Sequence, residues 1–281
     1  MNGRLIAVTG ITGSQGGAAA KHLLAAGWRL RGLTRKASSE AASRLASRGV
    51  ELIEGNMSDR AALDRLVAGA YGVYGVTDFF NNGLVREVEQ GKNLVDAAAR
   101  AGVKHYVFPS LALSDQRTGI PYFEAKVAIE DHLRASGLPF TILRPALFME
   151  DLVETKYAPP MWWGTVRRTV GDDKQLYWIA VDDLGKIVAR VFADPARYAG
   201  QAMTLAGDFK SIGEAREIFR RVRGRTPLAI PAPLWLIRRV VNADLVPMWQ
   251  WLGRNPIVAD LAPARQILPE ITGMEAWLRQ R

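Results

Sequence analysis

The sequence predicts an α/β fold in which a doubly wound parallel β-sheet carries helices on both faces. Two observations support this prediction. A glycine-rich turn joins an apolar strand to a helix at the start of the chain, and strand patterns then alternate with helical patterns through the first half. In proteins with this alternation, parallel strands are joined by crossover helices, and the crossovers are almost always right-handed. The order of the elements therefore nearly determines the topology of the sheet.

The opening segment reads as strand, glycine turn and helix. Residues 4–9 are apolar and β-branched, the turn follows at residues 10–17, and helix-forming alanines come next. Glycines in such a turn permit the tight bend, the approach of backbone to a pyrophosphate and close helix–strand packing. The helix N-terminus offers unpaired N–H groups to the phosphates. A plain glycine-rich turn is the alternative, but in this context we expect a dinucleotide to be bound by Gly10, Thr12, Gly13, Ser14, Gln15 and Gly16.

Regular elements are predicted throughout the first half. The strands are expected at residues 4–9, 28–34, 50–55, 71–77, 104–110 and 139–144. The helical patterns lie near residues 15–26, 38–48, 59–69, 83–101 and 122–137. Residues 1–150 are therefore expected to form a dinucleotide-binding core of the Rossmann type.

Residues 151–175 read as a loop, because Pro159 and Pro160 interrupt any periodic pattern. The loop also carries large apolar rings, which are expected to wall an apolar substrate pocket. Core packing or a dimer contact is the alternative for them. The pocket residues expected here are Trp162, Trp163 and Met149, together with Phe148 and Trp178.

Later elements are expected to complete the core and add a small substrate or lid region. A strand is predicted over residues 175–180, and Asp182 is predicted to cap the helix that follows. Residues 201–205 read as the last core strand, and Ser211 with Glu214 has the spacing of a capping box. Residues 176–207 would thus complete the core. The substrate region would comprise residues 151–175 and 208–281.

Composition limits the classes of function. The 281 residues include no cysteine, which excludes disulfides, thiolate metal sites and a cysteine nucleophile, and fits a reducing cytoplasm. The three histidines are scattered, so no metal site is expected. The first strand begins almost at once, so we expect no targeting segment. The longest apolar stretch, Pro227 to Ile237, is too short to span a membrane.

The net charge is +9, and the densest group of arginines lies in one segment. A patch for nucleic acid, acidic lipid or an acidic protein is one interpretation. No nucleic-acid motif accompanies the charge, so we expect a solvated helix face and no nucleic-acid partner. The arginines concerned are Arg216, Arg220, Arg221, Arg223 and Arg225.

An apolar stripe follows in the last part of the chain, where Leu234, Ile237, Val241 and Leu245 recur at helical spacing. We expect this helix to pack over the substrate cleft or against the core. The alternative is a helix that binds a partner or a membrane surface, because the neighbouring Arg238 and Arg239 flank apolar residues.

The second predicted strand ends at Arg35 and Lys36, about twenty residues past the glycines. An NAD-specific site needs a carboxylate here to bind the ribose 2′-hydroxyl, and the next acid is Glu40. Two cations instead suit a 2′-phosphate through charge-assisted hydrogen bonds. The sequence therefore predicts NADP(H) as the cofactor, unless the cations merely solvate a loop.

Ligands bind at the carboxyl ends of strands in open α/β sheets. After the third strand, Asn56 is expected to contact the adenine, although a cap of the next helix by Ser58 or Asp59 is compatible. After the fourth, Gly75 would let the backbone lie over the cofactor, and Phe79 or Phe80 would flank the adenine or ribose unless both are core. Further cofactor contacts are expected from Met57, Thr77, Lys126 and Phe148.

The fifth strand leads to Ser110, and Tyr122 and Lys126 follow on one face of a helix that Pro121 begins. A nearby ammonium should lower the pKa of a tyrosine, so that Tyr122 can give a proton to a carbonyl oxygen. Lys126 would also hold a ribose hydroxyl, and Ser110 would orient the acceptor oxygen. The alternative is a surface tyrosine and lysine one turn apart.

These motifs together resemble the NmrA-like family of atypical short-chain dehydrogenases/reductases. The resemblance implies a Rossmann-type core, and activities that range from NADPH-dependent reduction of quinones and dyes to NADP-binding regulation without catalysis. Many members lack a tyrosine at the place of Tyr122. This chain instead has the Tyr-x-x-x-Lys spacing of the catalytic short-chain enzymes, which favours an enzyme. The segments that carry the resemblance are residues 10–17, Arg35, Phe123 with Lys126, residues 143–151, residues 178–205 and residues 276–278.

Two functions from different classes follow. The first is an NADPH-dependent reductase of a quinone, carbonyl or similar small apolar or aromatic acceptor, in which the cofactor carries the chemistry. The second is a non-catalytic NADP(H) sensor that binds a protein partner and responds to cofactor occupancy. A homodimer is compatible with either, and an isomerase or dehydratase on the same scaffold is a third possibility because a fold does not determine function.

Overall fold

The six strands predicted in the first half are present and lie in one parallel sheet. They are β1 (Leu5–Val8), β2 (Arg29–Thr34), β3 (Glu51–Glu54), β4 (Gly72–Tyr74), β5 (His105–Pro109) and β6 (Phe140–Pro145). The structure is a computed structural model that describes residues 3–154, 159–230, 233–240, 245–255 and 260–281. Two further strands, β7 (Leu147–Phe148) and β8 (Gln175–Ile179), lie outside this sheet, whereas β9 (Gln201–Leu205) joins its edge. The sheet order is β3-β2-β1-β4-β5-β6-β9, which reverses direction between β1 and β4.

Helices connect these strands as crossovers. They are α1 (Ser14–Ala25), α2 (Glu40–Ala46), α3 (Arg60–Val67), α4 (Phe79–Arg100) and α5 (Pro121–Ala135). Gly83 has φ of 72°, so α4 is interrupted one turn after its start and continues beyond that residue. The reversal of strand order beside the β1–α1 turn is where open α/β sheets bind their ligands.

Alternating side chains of β1 divide the core into two layers. Ile6 and Val8 pack with α1 on one face of the sheet, and Leu5 and Ala7 pack with α3 and α4 on the other. Successive residues of a strand point to opposite faces, so a strand covered on both sides must be apolar throughout. This explains why residues 5–8 form an unbroken apolar run in which every residue is buried.

A second layer of structure lies beyond β6. β10 (Asp208–Ser211) pairs antiparallel with β8, which pairs parallel with β7, in a three-stranded sheet. The helices of this half are α6 (Pro159–Thr169), α7 (Val181–Ala193), α8 (Pro195–Tyr198), α9 (Ile212–Arg223), α10 (Leu234–Val240), α11 (Leu245–Arg254), α12 (Ala262–Ile267) and α13 (Met274–Arg279). Among the described residues, no helix is both long and apolar enough to cross a membrane.

The expectation that residues 151–175 form a loop is wrong, because α6 occupies much of this segment. Pro159 and Pro160 lie at its first two positions, where a missing N–H costs nothing. Gly164 then lets the chain pack closely, since a Cβ there would lie 1.9 Å from the Ile230 carbonyl oxygen. The prolines therefore begin a helix rather than interrupt one.

Of two predictions about the N-terminal caps of later helices, one is wrong and one is confirmed. The prediction that Asp182 caps α7 is wrong, because Ala180 is the N-cap and no side chain caps it. Asp182 instead accepts from Lys21 at 2.7 Å and contacts His22 at 2.9 Å on α1. These partners hold the pKa of Asp182 well below its usual range, against the effect of burial. The capping box of Ser211 and Glu214 at the start of α9 is confirmed.

The end of the chain packs against the segment that follows β7. Glu150 is buried, accepts from Trp277 Nε1 at 3.2 Å and from Arg281 at 2.9 Å, and also accepts from the Val181 backbone. Burial raises the pKa of Glu150 despite these donors. Of the predicted apolar stripe, Leu234 and Leu245 begin α10 and α11. Val241 lies outside the described residues, as do the side chains of Ile237 and Arg238.

Candidate functional site

The turn between β1 and α1 has the geometry of a phosphate cradle. Gly10 has φ of 60°, a left-handed conformation that favours glycine, and its carbonyl accepts from the Gly13 N–H at 2.9 Å. A Cβ on Gly16 would lie 2.2 Å from the Gly10 carbonyl oxygen, so only glycine fits there. Gly13 is the N-cap of α1 and supplies no capping side chain. The first turn of α1 therefore offers its N–H groups to an anion.

The predicted side chains of this turn lie around the cradle. Thr12 is exposed, and Ser14 and Gln15 are half-buried at the start of α1. The buried Gln15 Oε1 has no hydrogen-bond donor among the described residues. An unpartnered amide oxygen beside the N-terminus of α1 fits a site that a polar ligand completes.

The loop after β2 presents both predicted cations to solvent. Arg35 and Lys36 are exposed, and neither forms an ion pair with another described residue. The loop itself is held in place, because the Ala37 N–H donates to Glu54 Oε2 at 2.8 Å. Thr34 Oγ1 also accepts a long bond from the Lys36 N–H. The cations thus extend from an ordered loop at the carboxyl end of β2.

The residues after β3 are occupied by local contacts. The exposed Asn56 accepts from the Ser58 N–H through Oδ1 at 2.8 Å, and Asp59 caps α3. Met57 is buried with the core side chains of α3. The predicted contacts of Asn56 and Met57 with the cofactor therefore remain predictions, and the alternative of an N-cap at Asp59 is what the structure contains.

Gly75 makes room for a side chain from the next strand. A Cβ at this position would lie 2.2 Å from the hydroxyl oxygen of Tyr106 and 2.8 Å from its Cζ atom. The sequence predicts that this glycine lets the backbone approach the cofactor closely. The structure gives a different reason, because the ring of Tyr106 fills the space.

Thr77, Glu87 and Lys126 form a closed triangle of hydrogen bonds. Lys126 Nζ donates to Thr77 Oγ1 and to Glu87 Oε1, and Thr77 Oγ1 donates to the same Glu87 oxygen, all at 2.7 Å. Glu87 has no exposed surface and Lys126 is 7% exposed. Thr77 and Lys126 are among the predicted site residues, and Glu87 is not. Its signal was a carboxylate on the buried face of α4, one heptad before Leu94.

Tyr122 lies in the first turn of α5, where Pro121 starts the helix as predicted. Its ring is half-buried against Phe79, with 4.4 Å between ring centroids, and next to Phe123 at 6.1 Å. Phe79 is itself buried. The side chain of Phe80 lies outside the described residues. Phe79, the first residue of α4, thus brings the segment after β4 into ring contact with Tyr122, the predicted proton donor.

Ser110 lies at the end of β5, in a buried polar cluster. Its hydroxyl donates to Glu130 Oε1 at 2.5 Å, and Glu130 accepts two bonds from Arg144, at 3.0 and 2.6 Å. All three side chains are buried. The hydroxyl has a single proton, and a carboxylate is a strong acceptor for it. In this arrangement Ser110 donates to Glu130 and not to an acceptor oxygen.

An apolar cavity of about 40 Å³ lies at the carboxyl ends of β5 and β6. Leu113 lines it from a strained position, because its φ of 72° is a left-handed conformation that leucine rarely adopts. Strain of this kind clusters at ligand sites. The lining residues are Leu111, Ala112, Leu113, Phe123, Pro145, Ala146, Leu147, Leu176, Tyr177, Met248 and Leu252.

The residues predicted to wall the pocket do not line this cavity. Met149 has no exposed surface, and Trp163 is buried and donates from Nε1 to the Leu152 carbonyl. Trp162 is half-buried and meets Trp163 and Trp249 edge-on, at 5.4 and 5.6 Å between ring centroids. Core packing, the alternative for the two tryptophans, is what the structure contains, with Trp163 in the core and Trp162 packed against it. Phe148 is half-buried in β7 and packs against the main core.

The family comparison covers nearly the whole chain. The sequence profile of the NmrA-like family matches residues 2–278. Among curated proteins, the chain is 30% identical over 257 residues to an NmrA-like family domain-containing oxidoreductase of Aspergillus flavus, a match that covers 83% of this chain and 77% of that protein. It is 28% identical over 256 residues to another of this description from Cladobotryum sp, covering 79% and 74% respectively.

Solved structures share the fold. The structure of NmrA, a negative transcriptional regulator, in complex with NADP has a TM-score of 0.78 at 20% identity, covering 100% of this chain and 95% of that one. The triphenylmethane reductase of Citrobacter sp. complexed with NADP(H) has a TM-score of 0.80 at 21% identity, covering 99% of each chain. The seven-stranded parallel sheet, the glycine cradle and the match over residues 2–278 together show that this chain belongs to the NmrA-like family.

Proposed function

We propose that this protein binds NADP(H) and reduces a small apolar or aromatic acceptor such as a quinone or carbonyl compound. The observation that carries the proposal is the apolar cavity next to α5, at the same sheet edge as the phosphate cradle. An acceptor bound in this cavity would lie at the same sheet edge as a cofactor held by the cradle. Relatives named as oxidoreductases, and similar folds crystallised with NADP(H), support it.

Each part of the cofactor has a matching group on this chain. The N-terminus of α1 and the glycine turn would hold the pyrophosphate. The exposed Arg35 and Lys36 would bind a 2′-phosphate. Two of the three N–H groups of Lys126 donate to Thr77 and Glu87, so the third would donate to a ribose hydroxyl. When bound, the nicotinamide supplies the hydride.

Residues of the chain would bind the acceptor and donate the proton. The cavity is lined by apolar side chains, so it would favour an uncharged acceptor, and it would have to widen from about 40 Å³ to admit an aromatic ring. Tyr122 lies in the first turn of the helix that also carries the cavity residue Phe123, and would give its phenolic proton to the acceptor oxygen. We further propose the cytoplasm as the compartment, because the chain has no cysteine.

The experiment measures oxidation of NADPH against a panel of quinones and aromatic aldehydes. Tyr122→Phe keeps the ring contact with Phe79 and removes only the hydroxyl. We expect the variant to turn over about 10²- to 10⁴-fold more slowly with at least one acceptor, the usual contribution of a positioned general acid. Its affinity for NADPH should be unchanged. Wild type that oxidises NADPH with none of the acceptors would exclude the reductase, and equal measurable rates for both proteins would exclude Tyr122 as the proton donor.

A non-catalytic NADP(H) sensor is the second candidate. The donation of the Ser110 proton to Glu130 favours it, because this removes one predicted catalytic group from the acceptor. The sensor would bind NADPH without oxidising it, and its mass in solution or its capture of a partner would change with the cofactor. Sedimentation with and without NADPH therefore separates the two candidates and also tests the predicted homodimer.

A further inference from the structure

Glu87 is a buried charge that the proposed reaction does not by itself require. The side chain has no exposed surface, and its Oε2 atom has no hydrogen-bond donor among the described residues. Taking a carboxylate out of water costs several kcal/mol, and only a well-placed partner offsets the cost. A half-satisfied carboxylate bound to a lysine that is predicted to hold the cofactor therefore calls for a functional reason.

The contacts of Glu87 all converge on one ammonium group. Its Oε1 atom accepts from Lys126 Nζ and from Thr77 Oγ1, and the Thr77 hydroxyl accepts from Lys126 in turn, each at 2.7 Å. Lys126 comes from α5, Thr77 follows β4, and Glu87 comes from α4. A lysine side chain loses much conformational freedom when it is held this way. Among the residues that the structure describes, the triangle thus takes two N–H bonds of Lys126 and leaves the third for another acceptor.

We propose that Glu87 is a positioning residue, which holds Lys126 so that its third N–H meets a ribose hydroxyl of NADP(H). The inference rests on the proposed binding of NADP(H) and does not require turnover. Glu87 also cancels most of the charge of Lys126 at short range. Lys126 therefore acts on the cofactor through a directed hydrogen bond, and its field at Tyr122 is weaker than that of an unpaired ammonium.

A double-mutant cycle tests this inference, because it asks whether Glu87 acts through Lys126. The four proteins are wild type, Glu87→Gln, Lys126→Met and the double variant, and calorimetry gives the Kd for NADPH. We expect each single variant to weaken NADPH about tenfold, the effect of one ordinary hydrogen bond. The double variant should bind no more weakly than Lys126→Met. Additive losses, or an unchanged Kd for Glu87→Gln, would overturn the inference.

A second readout uses the proteins without cofactor. Lys126→Met leaves Glu87 buried with no countercharge, so this variant should unfold at lower urea than the double variant. Asp183→Asn is the matched control, because Asp183 is equally buried and pairs with Lys186 at 2.7 Å on α7. It should lower stability without changing the Kd for NADPH. An equal change of Kd in this control would mean that any buried ion pair has the same effect.

Thr77→Val protects the test if Glu87→Gln fails to fold. It keeps the ion pair and the shape of the side chain, and removes one of the two groups that direct Lys126. We expect this variant to bind NADPH more weakly than wild type. In the Lys126→Met background, Thr77→Val should have no further effect on the Kd for NADPH. Wild type that binds NADPH without turnover would contradict the reductase and leave the role of Glu87 intact. Turnover in wild type with an additive cycle would contradict only the inference.

Discussion

The Ser110 hydroxyl donates to Glu130 Oε1 across 2.5 Å, inside a cluster where Arg144 supplies two further bonds to the same carboxylate. This bond ties the end of β5 to α5, and Arg144 ties both to β6. The loop from Ser110 to Pro121 begins here and includes the strained Leu113 of the cavity. The cluster therefore fixes one side of the apolar cavity.

Removal of the Ser110 hydroxyl should affect stability more than rate. We expect Ser110→Ala to lower the free energy of unfolding by about 1.5–3 kcal/mol, the range for a hydrogen bond to a charged group. The kcat/KM with the best acceptor should fall less than about tenfold, because the hydroxyl does not face the acceptor. Urea unfolding and steady-state kinetics measure the two quantities. A hundredfold loss of rate at unchanged stability would instead assign Ser110 to the acceptor oxygen.

Ser114→Ala is a matched control for this prediction. Ser114 is buried in the same loop, and its hydroxyl donates to the Leu111 carbonyl at 2.8 Å. Ser114→Ala removes a hydrogen bond between two neutral groups, so the free energy of unfolding should fall by only about 1 kcal/mol.

Cofactor preference should depend on Arg35. We expect Arg35→Ala to raise the Kd for NADPH about 10- to 100-fold and to leave the Kd for NADH nearly unchanged, because only the former carries the 2′-phosphate. Arg48→Ala removes another exposed cation and should change neither value. Equal Kd values for both coenzymes in wild type would contradict the predicted preference for NADP(H). A preference that survives Arg35→Ala would move the contact to Lys36.

A methyl group at position 75 should clash with Tyr106. The Cβ of Gly75→Ala would lie 2.2 Å from the tyrosine hydroxyl, so we expect a loss of about 1–3 kcal/mol of stability. Tyr106→Phe removes that atom but leaves ring carbon Cζ 2.8 Å away, and should restore part of the loss. A double-mutant cycle by urea unfolding measures this coupling. Strict additivity would mean that Gly75 serves something other than the ring.

Stability should fall at acidic pH because of His105. Thr141 Oγ1 donates to the Tyr198 carbonyl, so it accepts from His105 Nε2, and the buried Nδ1 has no partner among the described residues. Burial lowers the pKa of His105 from 6.5 to about 4. Between these values the unfolded chain binds the extra proton, so stability decreases as pH falls from 6.5 and levels off near 4. The full loss is about 3 kcal/mol.

Urea unfolding at several pH values checks this effect against His105→Gln, which keeps an N–H donor that does not titrate. The difference in stability between the two proteins should shrink on the acidic side. His22 and His132 are the same in both proteins, so the difference in stability reports on position 105 alone. Parallel curves for the two proteins would show that the titration of His105 does not contribute.

The strands and crossovers of the first half could be predicted because their signals are local. The apolar run before Gly10 and the spacing of Ser211 and Glu214 each lie within one element, and both predictions agree with the structure. A short connection between such elements then leaves few topologies.

The remaining features depend on partners far along the chain. Asp182 has the sequence position of a cap, but Lys21 and His22 lie about 160 residues away and bind it instead. Periodicity can state that a tryptophan is in a helix, but it cannot tell whether Trp162 and Trp163 face a ligand or each other. Glu87 was missed for the same reason, because its meaning comes from Lys126 on another helix.

The carboxylate of Glu150 depends on donors that lie far along the sequence. Trp277 and Arg281 follow it by 127 and 131 residues, and β9 must also arrive before the edge of β6 is paired. A fragment that stopped near residue 150 would leave an unpaired sheet edge and a buried acid without donors. Residues 1–150 and the rest of the chain should accordingly unfold together, in a single calorimetric transition.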